Sequence, residues 1–279
     1  MGYNLLEGKK GIIFGALDEN SIAWHVAQLV YEEGGRFVLT NHELALRKGD
    51  IYRLAEKTQA PVIAADVTSI DDLENLFDET LKHFGSGIDF ILHAVGMSPN
   101  VRKNIPYPEL NYEYFMKTID ISAISLHKIL SVAYKKDAIN EYGSVVTLSY
   151  IGAQRQFTSY SDMSQAKAML ESIVRSFGYH YGIKKKVRIN SVSQSPTITT
   201  AGKGVKGFDT FFQYSNCMSP LGNATAEDCA KFCVLLFSDY SRKVTMQNIY
   251  HDGGFSAMGI SDKIMTECFS CTGKCMEEE

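Results

Sequence analysis

The sequence predicts an α/β fold, one doubly wound parallel sheet of about seven strands, on three observations. Short, continuous apolar runs recur along the chain, stretches of helical length separate them, and nearly every run ends in Gly, Ser, Thr, Asn or Asp. Apolar runs without polar alternation are how strands read when helices cover both faces of a parallel sheet. At 279 residues, 45% hydrophobic and 22% charged, the chain has the size and composition of one such domain.

The elements follow in order. GIIFG, ending at Gly15, is the first strand, and the apolar positions as far as Val30 form the helix behind it. RFVLTN is the second strand, with a helix ending near Gln59. PVIAADV and IDFILHAVG are the third and fourth, each followed by a helical stretch. GSVVTLSY, KVRINSVS and QNIYHDG complete the set, separated by helices around Ile119–Tyr134, Met163–Tyr181 and Ala226–Leu236. Right-handed crossovers between such strands build a sheet wound in both directions. No repeat or linker divides the chain, so the expected organisation is one domain over residues 1–261 and a flexible cysteine-containing tail over 262–279.

The net charge of -4, with scattered lysines and arginines, gives no reason to expect nucleic acid or an anionic membrane as partner. No apolar run approaches the roughly 18 residues that span a bilayer, and the N-terminus lacks a signal-peptide core. A cytoplasmic protein is expected. Of the six cysteines, Cys229 and Cys233 are read as core thiols and Cys217 is unassigned. Cys268, Cys271 and Cys275 make C-x2-C-x3-C without a histidine, an incomplete metal set, so no metal is expected.

Ligands of an open parallel sheet bind beyond the carboxyl ends of its strands. Those ends are Gly15 to Ser21, Thr40-Asn41-His42, Asp66-Val67, His93-Ala94-Val95-Gly96, Ser149-Tyr150 and Ser195-Pro196-Thr197. The first loop, GALDENSIA, lacks G-x-G-x-x-G. A pyrophosphate needs free N–H groups at a helix start, a turn without bulky Cβ atoms and a hydroxyl, and Gly15, Ala16 and Ser21 can supply these. Asp18 and Glu19 would then face solvent. The alternative is that Ser21 only caps the helix.

LSYIGAQRQFTSYSDMSQAK carries the second signal. Tyr160 and Lys167 are seven positions apart, close to two helical turns, so both side chains would share one helical face. An ammonium there favours the phenolate and hydrogen-bonds ribose hydroxyls, which suits proton donation and hydride chemistry. Tyr181-x3-Lys185 has a competing spacing but contains Gly182 and enters a lysine cluster, and is read as a solvated helix end.

GALDENSIA, ILHAVG, LSYIGAQRQFTSYSDMSQAK, VRINSVSQSPTITTAG and HDGGFS, in this order and spacing, resemble the enoyl-acyl-carrier-protein reductases of the short-chain dehydrogenase/reductase superfamily. The resemblance spans nearly the whole chain. Its most specific marks are Tyr150, ten residues before Tyr160 where most of the superfamily has serine, and the Gly15-x5-Ser21-Ile22-Ala23 loop. It implies a Rossmann-like fold and reduction of the trans-2 double bond of an enoyl thioester on acyl carrier protein, in type II fatty-acid synthesis. Tyr160 would hold the developing enolate and Lys167 the nicotinamide ribose. Gly15, Ser21 and Ile22 would line the pyrophosphate; Asp66 and Val67 the adenine; Ala94, Val95 and Gly96 the ribose side; Pro196, Thr197 and Thr199 the carboxamide and phosphate. Tyr150 would touch the thioester carbonyl or shape the pocket. The segment 197–220 would be a mobile cover over the acyl chain, and relatives imply a homotetramer. Ser195 stands where the family commonly has glycine, and Thr197 where it has an apolar residue.

Asn41 offers no carboxylate to a ribose 2′-hydroxyl, but Glu43 would repel a 2′-phosphate, and Arg47 and Lys48 read as a solvated face. NADH is therefore expected, with NADPH the alternative. His93 is read as structural. Two other functions compete: a superfamily reductase of ketones or oxoacyl thioesters, expected to use serine and Y-x3-K, and a non-catalytic NAD(H) sensor, expected to lack the tyrosine or lysine.

Overall fold

The computed structural model describes residues 2–266 except Lys48, Ala201, Val205 and Lys206. Seven parallel strands form one sheet in the order β3-β2-β1-β4-β5-β6-β7. They are β1 Lys10–Phe14, β2 Arg36–Asn41, β3 Val62–Ala64, β4 Ile88–His93, β5 Ile139–Ser149, β6 Arg188–Gln194 and β7 Asn248–His251. The winding reverses between β1 and β4, whose ends Phe14 and His93 are paired, so the connections leaving them diverge and open a crevice.

The helices are α1 Ile22–Glu32, α2 Glu43–Leu46, α3 Ile51–Thr58, α4 Ile70–Phe84, α5 Pro99–Arg102, α6 Tyr112–Ile119, α7 Ser125–Lys135, α8 Met163–Lys185, α9 Phe208–Met218 and α10 Ala226–Phe237. Successive strand residues face opposite sides, which is why the runs are continuously apolar. Ile13, Leu39, Phe90 and Val146 pack under α1, α3 and α10 with Trp24, Leu54, Cys233 and Phe237. Ile12, Val38, Ile91 and Val145 pack under α4, α7 and α8 with Phe77, Leu130 and Leu170. Cys229 and Cys233 are buried core thiols, and Cys217 is half-buried. The cysteines at 268, 271 and 275 lie outside the described residues.

Three local readings are corrected. The second helix is two, α2 and α3, parted at Arg47–Asp50, where the Gly49 N–H donates to Ala45 O and the Asp50 N–H to Leu17 O. A β-carbon on Gly49 would lie 2.5 Å from Leu17 O, so this break packs against the first loop. β5 begins earlier than expected, with a register shift opposite Ile88 and Phe90. Tyr181 is not at a solvated end: α8 runs on to Lys185, the Tyr181 ring is 2% exposed, and its hydroxyl donates to Leu130 O at 2.9 Å. Lys184 and Lys185 turn instead to Asp137, at 3.0 and 2.7 Å. Among the described residues no helix is long and apolar enough to cross a membrane.

Candidate active site

At the carboxyl ends of the strands lies a cavity of about 1630 Å³. Gly15, Ser21, Ile22, Asn41, Asp66, Val67, Ala94, Val95, Gly96, Tyr150, Tyr160, Lys167, Pro196, Thr197 and Thr199 all line it. Ala16 does not; it is fully buried behind the loop.

The first loop is held from within. Gly15 has φ +94°, and a β-carbon on it would lie 2.2 Å from Ala94 O, so only glycine fits where β1 and β4 part. Ser21 occupies the N-cap position of α1 without capping it. Its hydroxyl instead donates to Asp18 O at 2.7 Å and accepts from the Leu17 N–H at 3.3 Å, so no side chain caps the first turn of α1. Asp18 and Glu19 do not simply face solvent: Asp18 accepts from the Thr200 hydroxyl at 2.7 Å, and Glu19 pairs with Arg53 at 2.7 Å. Asp18 also accepts the Asn20 N–H at 3.0 Å, so its carboxylate stays beside the helix start.

At the ends of β2 and β3, the Asn41 amide donates to Ala16 O at 3.0 Å and its oxygen accepts the His42 N–H at 2.9 Å, which commits the side chain to shaping the loop. His42 caps α2 by accepting the Leu44 N–H and stands 3.6 Å from Asp66. Partial burial acts to raise the Asp66 pKa, but the Thr68 N–H and hydroxyl, with His42 and Lys128, hold it below the usual carboxylate range. Arg47 pairs with Glu43 at 3.2 Å, both exposed; Lys48 lies outside the described residues.

Lys167 and Tyr160 reach the cavity by different routes from the one the seven-residue spacing suggested. α8 begins at Met163, and Tyr160 sits before it in a turn where Ser161 takes φ +50°. The shared face is therefore tertiary, not helical. Lys167 is buried, donates to Leu148 O at 2.7 Å, and would lie 3.8 Å from a β-carbon on Gly96. Burial pulls its pKa down to about 8, against the opposing charge of Glu171. Burial pushes the Tyr160 hydroxyl well above the ordinary phenol range, so it remains a phenol and a hydrogen-bond donor. Tyr150 is raised further, by burial and then by Tyr160 and Asp252, and its buried hydroxyl has no partner among the described residues.

Several site residues were not singled out from the sequence. Ser122 accepts the Met97 N–H at 3.0 Å and sets the chain beyond Gly96; it lies in a π-helical segment, Asp120–Ile124, that no periodicity announces. Phe157 and Phe211 pack edge-on, 5.0 Å apart, over the Tyr150 ring. Asp162, buried at the start of α8, gathers Ser98, Asn100 and Thr118 at 2.6–2.9 Å and ties α5 and α6 to the site. His93 is structural, between Thr147 and Ser125 at 2.8 and 2.9 Å, with burial pulling its pKa down to about 3. Ser195 accepts the Ala224 N–H at 2.8 Å, and Thr197 donates to Ser195 O at 3.0 Å. Thr199 accepts the Gly202 N–H at 2.9 Å.

The cavity fits a nicotinamide dinucleotide. It exceeds the roughly 300–1,000 Å³ of ordinary small-molecule sites, α1 offers a helix start beside a glycine-only turn, and Gly96 leaves room in front of the Lys167 ammonium. Fold and site together define a nicotinamide-dependent reductase of the short-chain dehydrogenase kind, with the serine of the usual site replaced by Tyr150. The chain belongs to the enoyl-acyl-carrier-protein reductase family: the family model described as Enoyl-(Acyl carrier protein) reductase matches residues 15–256. It is 33% identical over 262 residues to the enoyl-acyl-carrier-protein reductase (NADH) FabI of Rickettsia felis, covering 93% of this chain and 98% of that protein. It resembles the crystal structure of the FabI–NADH complex from Alistipes finegoldii at 61% identity and TM-score 0.93, covering 94% and 92% of the two chains. The Bacillus cereus enoyl-acyl carrier protein reductase, solved with NADP+ and indole naphthyridinone, matches at 28% identity and TM-score 0.86, covering 93% and 100%.

Proposed function

We propose that the chain reduces the trans-2 double bond of enoyl thioesters carried on acyl carrier protein, using NADH, as a step of fatty-acid synthesis. The observation that carries this is the convergence of Tyr150, Tyr160 and Lys167 on one cavity with the Gly15 and Gly96 turns. The chemistry NADH supplies when bound is hydride, which goes to the β-carbon of the enoyl group.

The roles of the side chains follow from their protonation and placement. Lys167 donates to Leu148 O and keeps two further N–H groups for ribose hydroxyls. Tyr160, held as a phenol by burial, donates to the thioester oxygen as negative charge develops there, where a preformed donor counts most. Tyr150 has an unpartnered hydroxyl and an aromatic seat, which favours contact with the thioester carbonyl over shape alone. Gly15, Ser21 and Ile22 hold the pyrophosphate, Asn41, Asp66 and Val67 the adenosine end, and Ala94, Val95, Gly96, Pro196, Thr197 and Thr199 the nicotinamide end. The similar Rickettsia felis reductase is an NADH enzyme and the similar Alistipes finegoldii structure is an NADH complex, which supports NADH. α9, with Phe211 and Tyr214 lining the cavity, would cover the acyl chain. A homotetramer in the cytoplasm belongs to the same reading, and exposed Met169, Tyr179 and Ile183 on α8 offer apolar surface for such a contact.

The test is oxidation of NADH and NADPH with crotonyl thioester beside acetoacetyl thioester. Turnover with the crotonyl substrate is expected. Turnover with the acetoacetyl substrate alone would make the chain an oxoacyl reductase.

A further inference from the structure

Behind Tyr150 lies a buried carboxylate that the functional reading above does not use. Glu171 is 5% exposed and sits one helical turn beyond Lys167 on α8. Its Oε1 accepts the Ser149 hydroxyl at 2.6 Å, and its Oε2 accepts the Gln154 side-chain amide. Ser149 is the last residue of β5, immediately before Tyr150, and Gln154 follows the 3-10 turn Ile151–Ala153. One carboxylate thus grips the chain on both sides of Tyr150. Lys167, from the same helix, grips the residue before Ser149 through Leu148 O.

We propose that Glu171 is a positioning residue for the reduction: it brackets the Tyr150 turn through Ser149 and Gln154 and sets its negative charge against the Lys167 ammonium. This rests on the assignment of Tyr150 and Lys167 given above. Two physical requirements meet in it. A turn that carries a pocket ring needs both ends fixed, since a strand end with one free flank moves on the scale that matters for catalysis. A buried ammonium needs an opposite charge to stay protonated, and residues four apart on a helix are neighbours.

The electrostatics agree. Burial lowers the Lys167 pKa to about 8 and Glu171 acts to raise it. Burial raises the Glu171 pKa, against the Ser149 bond, Arg175, Lys167 and the Gln154 bond. The other charged or titratable groups nearby are His93, at the end of β4, held neutral and acted on by Lys167, Tyr150 and Tyr160 on the cavity side, and Asp252 beyond β7, whose charge acts on Tyr150. Tyr250 of β7 joins through its hydroxyl, which donates to Gln154 at 3.3 Å. None of these supplies a second buried anion next to Lys167, so removing the Glu171 charge leaves the ammonium facing burial alone.

Three variants of the full chain separate the two roles. Glu171→Gln keeps an acceptor for Ser149 and removes the charge, so the alkaline limb of kcat/KM for NADH should move down by about one pH unit. NADH affinity, read by fluorescence titration without turnover, should show the same displacement. Glu171→Asp keeps the charge but shortens the reach, so the limb should stay in place while kcat falls by about tenfold. Gln154→Met frees one side of the bracket from an exposed position, and should lower kcat by about threefold or more with NADH affinity unchanged. A Glu171→Gln protein with the original limb in both measurements would overturn the charge role, and wild-type kcat in Glu171→Asp and Gln154→Met would overturn the bracket. Should Glu171→Gln not fold, Glu171→Asp and Gln154→Met still decide the bracket, with unaltered kcat in both counting against the proposal. The NADH titration also separates this proposal from the functional reading: a chain inactive on crotonyl thioester sinks that reading, while the displaced binding limb still reports on Glu171 and Lys167.

Discussion

The rings of Tyr150 and Tyr160 meet edge to face, with centroids 4.8 Å apart and planes at 61°. One arrives from the end of β5 and the other from the turn before α8, and burial holds both hydroxyls as donors. Tyr160→Phe should lower kcat by roughly ten- to a thousandfold with little change in NADH affinity, because its hydrogen bond strengthens in the transition state. Steady-state kinetics beside a direct NADH titration checks this. A weakened NADH affinity with unchanged kcat would place Tyr160 on the cofactor instead.

Tyr150→Phe should behave differently. The Tyr150 hydroxyl is buried without a partner among the described residues, so deleting it removes an unpaid desolvation of about 1–3 kcal/mol and keeps the ring packing. Thermal stability should hold or rise, while the KM for the enoyl thioester rises. A clear drop in Tm would show that the hydroxyl has a partner.

Lys167 sets the pH range. Burial lowers its pKa to about 8, and the protonated form is the one that donates to ribose hydroxyls. The value kcat/KM for NADH reports the free enzyme and should therefore fall as pH rises through about 8. The raised tyrosine pKa values keep those groups out of this limb. Lys167→Ala should abolish the limb, raise the KM for NADH and lower kcat. A limb that survives in Lys167→Ala belongs to another group.

Cofactor choice is tested at Asn41. Wild-type protein should favour NADH by tenfold or more in kcat/KM, about 1.4 kcal/mol. Asn41→Arg should raise activity with NADPH. It should also weaken activity with NADH, because it removes the bonds from Asn41 to Ala16 O and the His42 N–H. NADPH preference in the unaltered protein would bring Arg47 or another cation to the cofactor.

Tyr181→Phe separates packing from chemistry. It loses one buried hydrogen bond to Leu130 O, a cost of about 1 kcal/mol, and leaves the cavity untouched. Denaturant unfolding should register the loss while kcat and KM stay at wild-type values. Reduced kcat would give the shorter tyrosine–lysine spacing a role after all.

Much of this molecule was legible in its sequence because the deciding signals are local. Continuous apolar runs such as IIF and FILH declare strands buried on both faces, and a parallel sheet then puts its ligands at the strand ends. That was enough to name Gly15, Asp66, Gly96 and Tyr150 as neighbours before any coordinates, and the tyrosine–lysine spacing added Lys167. Legibility failed where a conformation depends on distant partners. Tyr160 was placed on a helix by spacing, but the chain turns at Ser161 and α8 starts only at Met163. Tyr181 sits in a lysine-rich stretch, and only the packing of α7 against α8 buries it.

The sequence by itself determined the strand order of events along the chain, the reductase family and the residue types at the strand ends, since these rest on periodicity, turn chemistry and the identity of side chains. Only the tertiary structure decided what those side chains are bonded to. Ser21 leaves its helix uncapped, Asp18 reaches Thr200, and Glu171 spans Ser149 and Gln154 from a neighbouring element. Protonation was decided there as well. Whether Lys167 is an ammonium and Tyr160 a phenol depends on how much water the surrounding elements exclude, and no property of the isolated chain sets that.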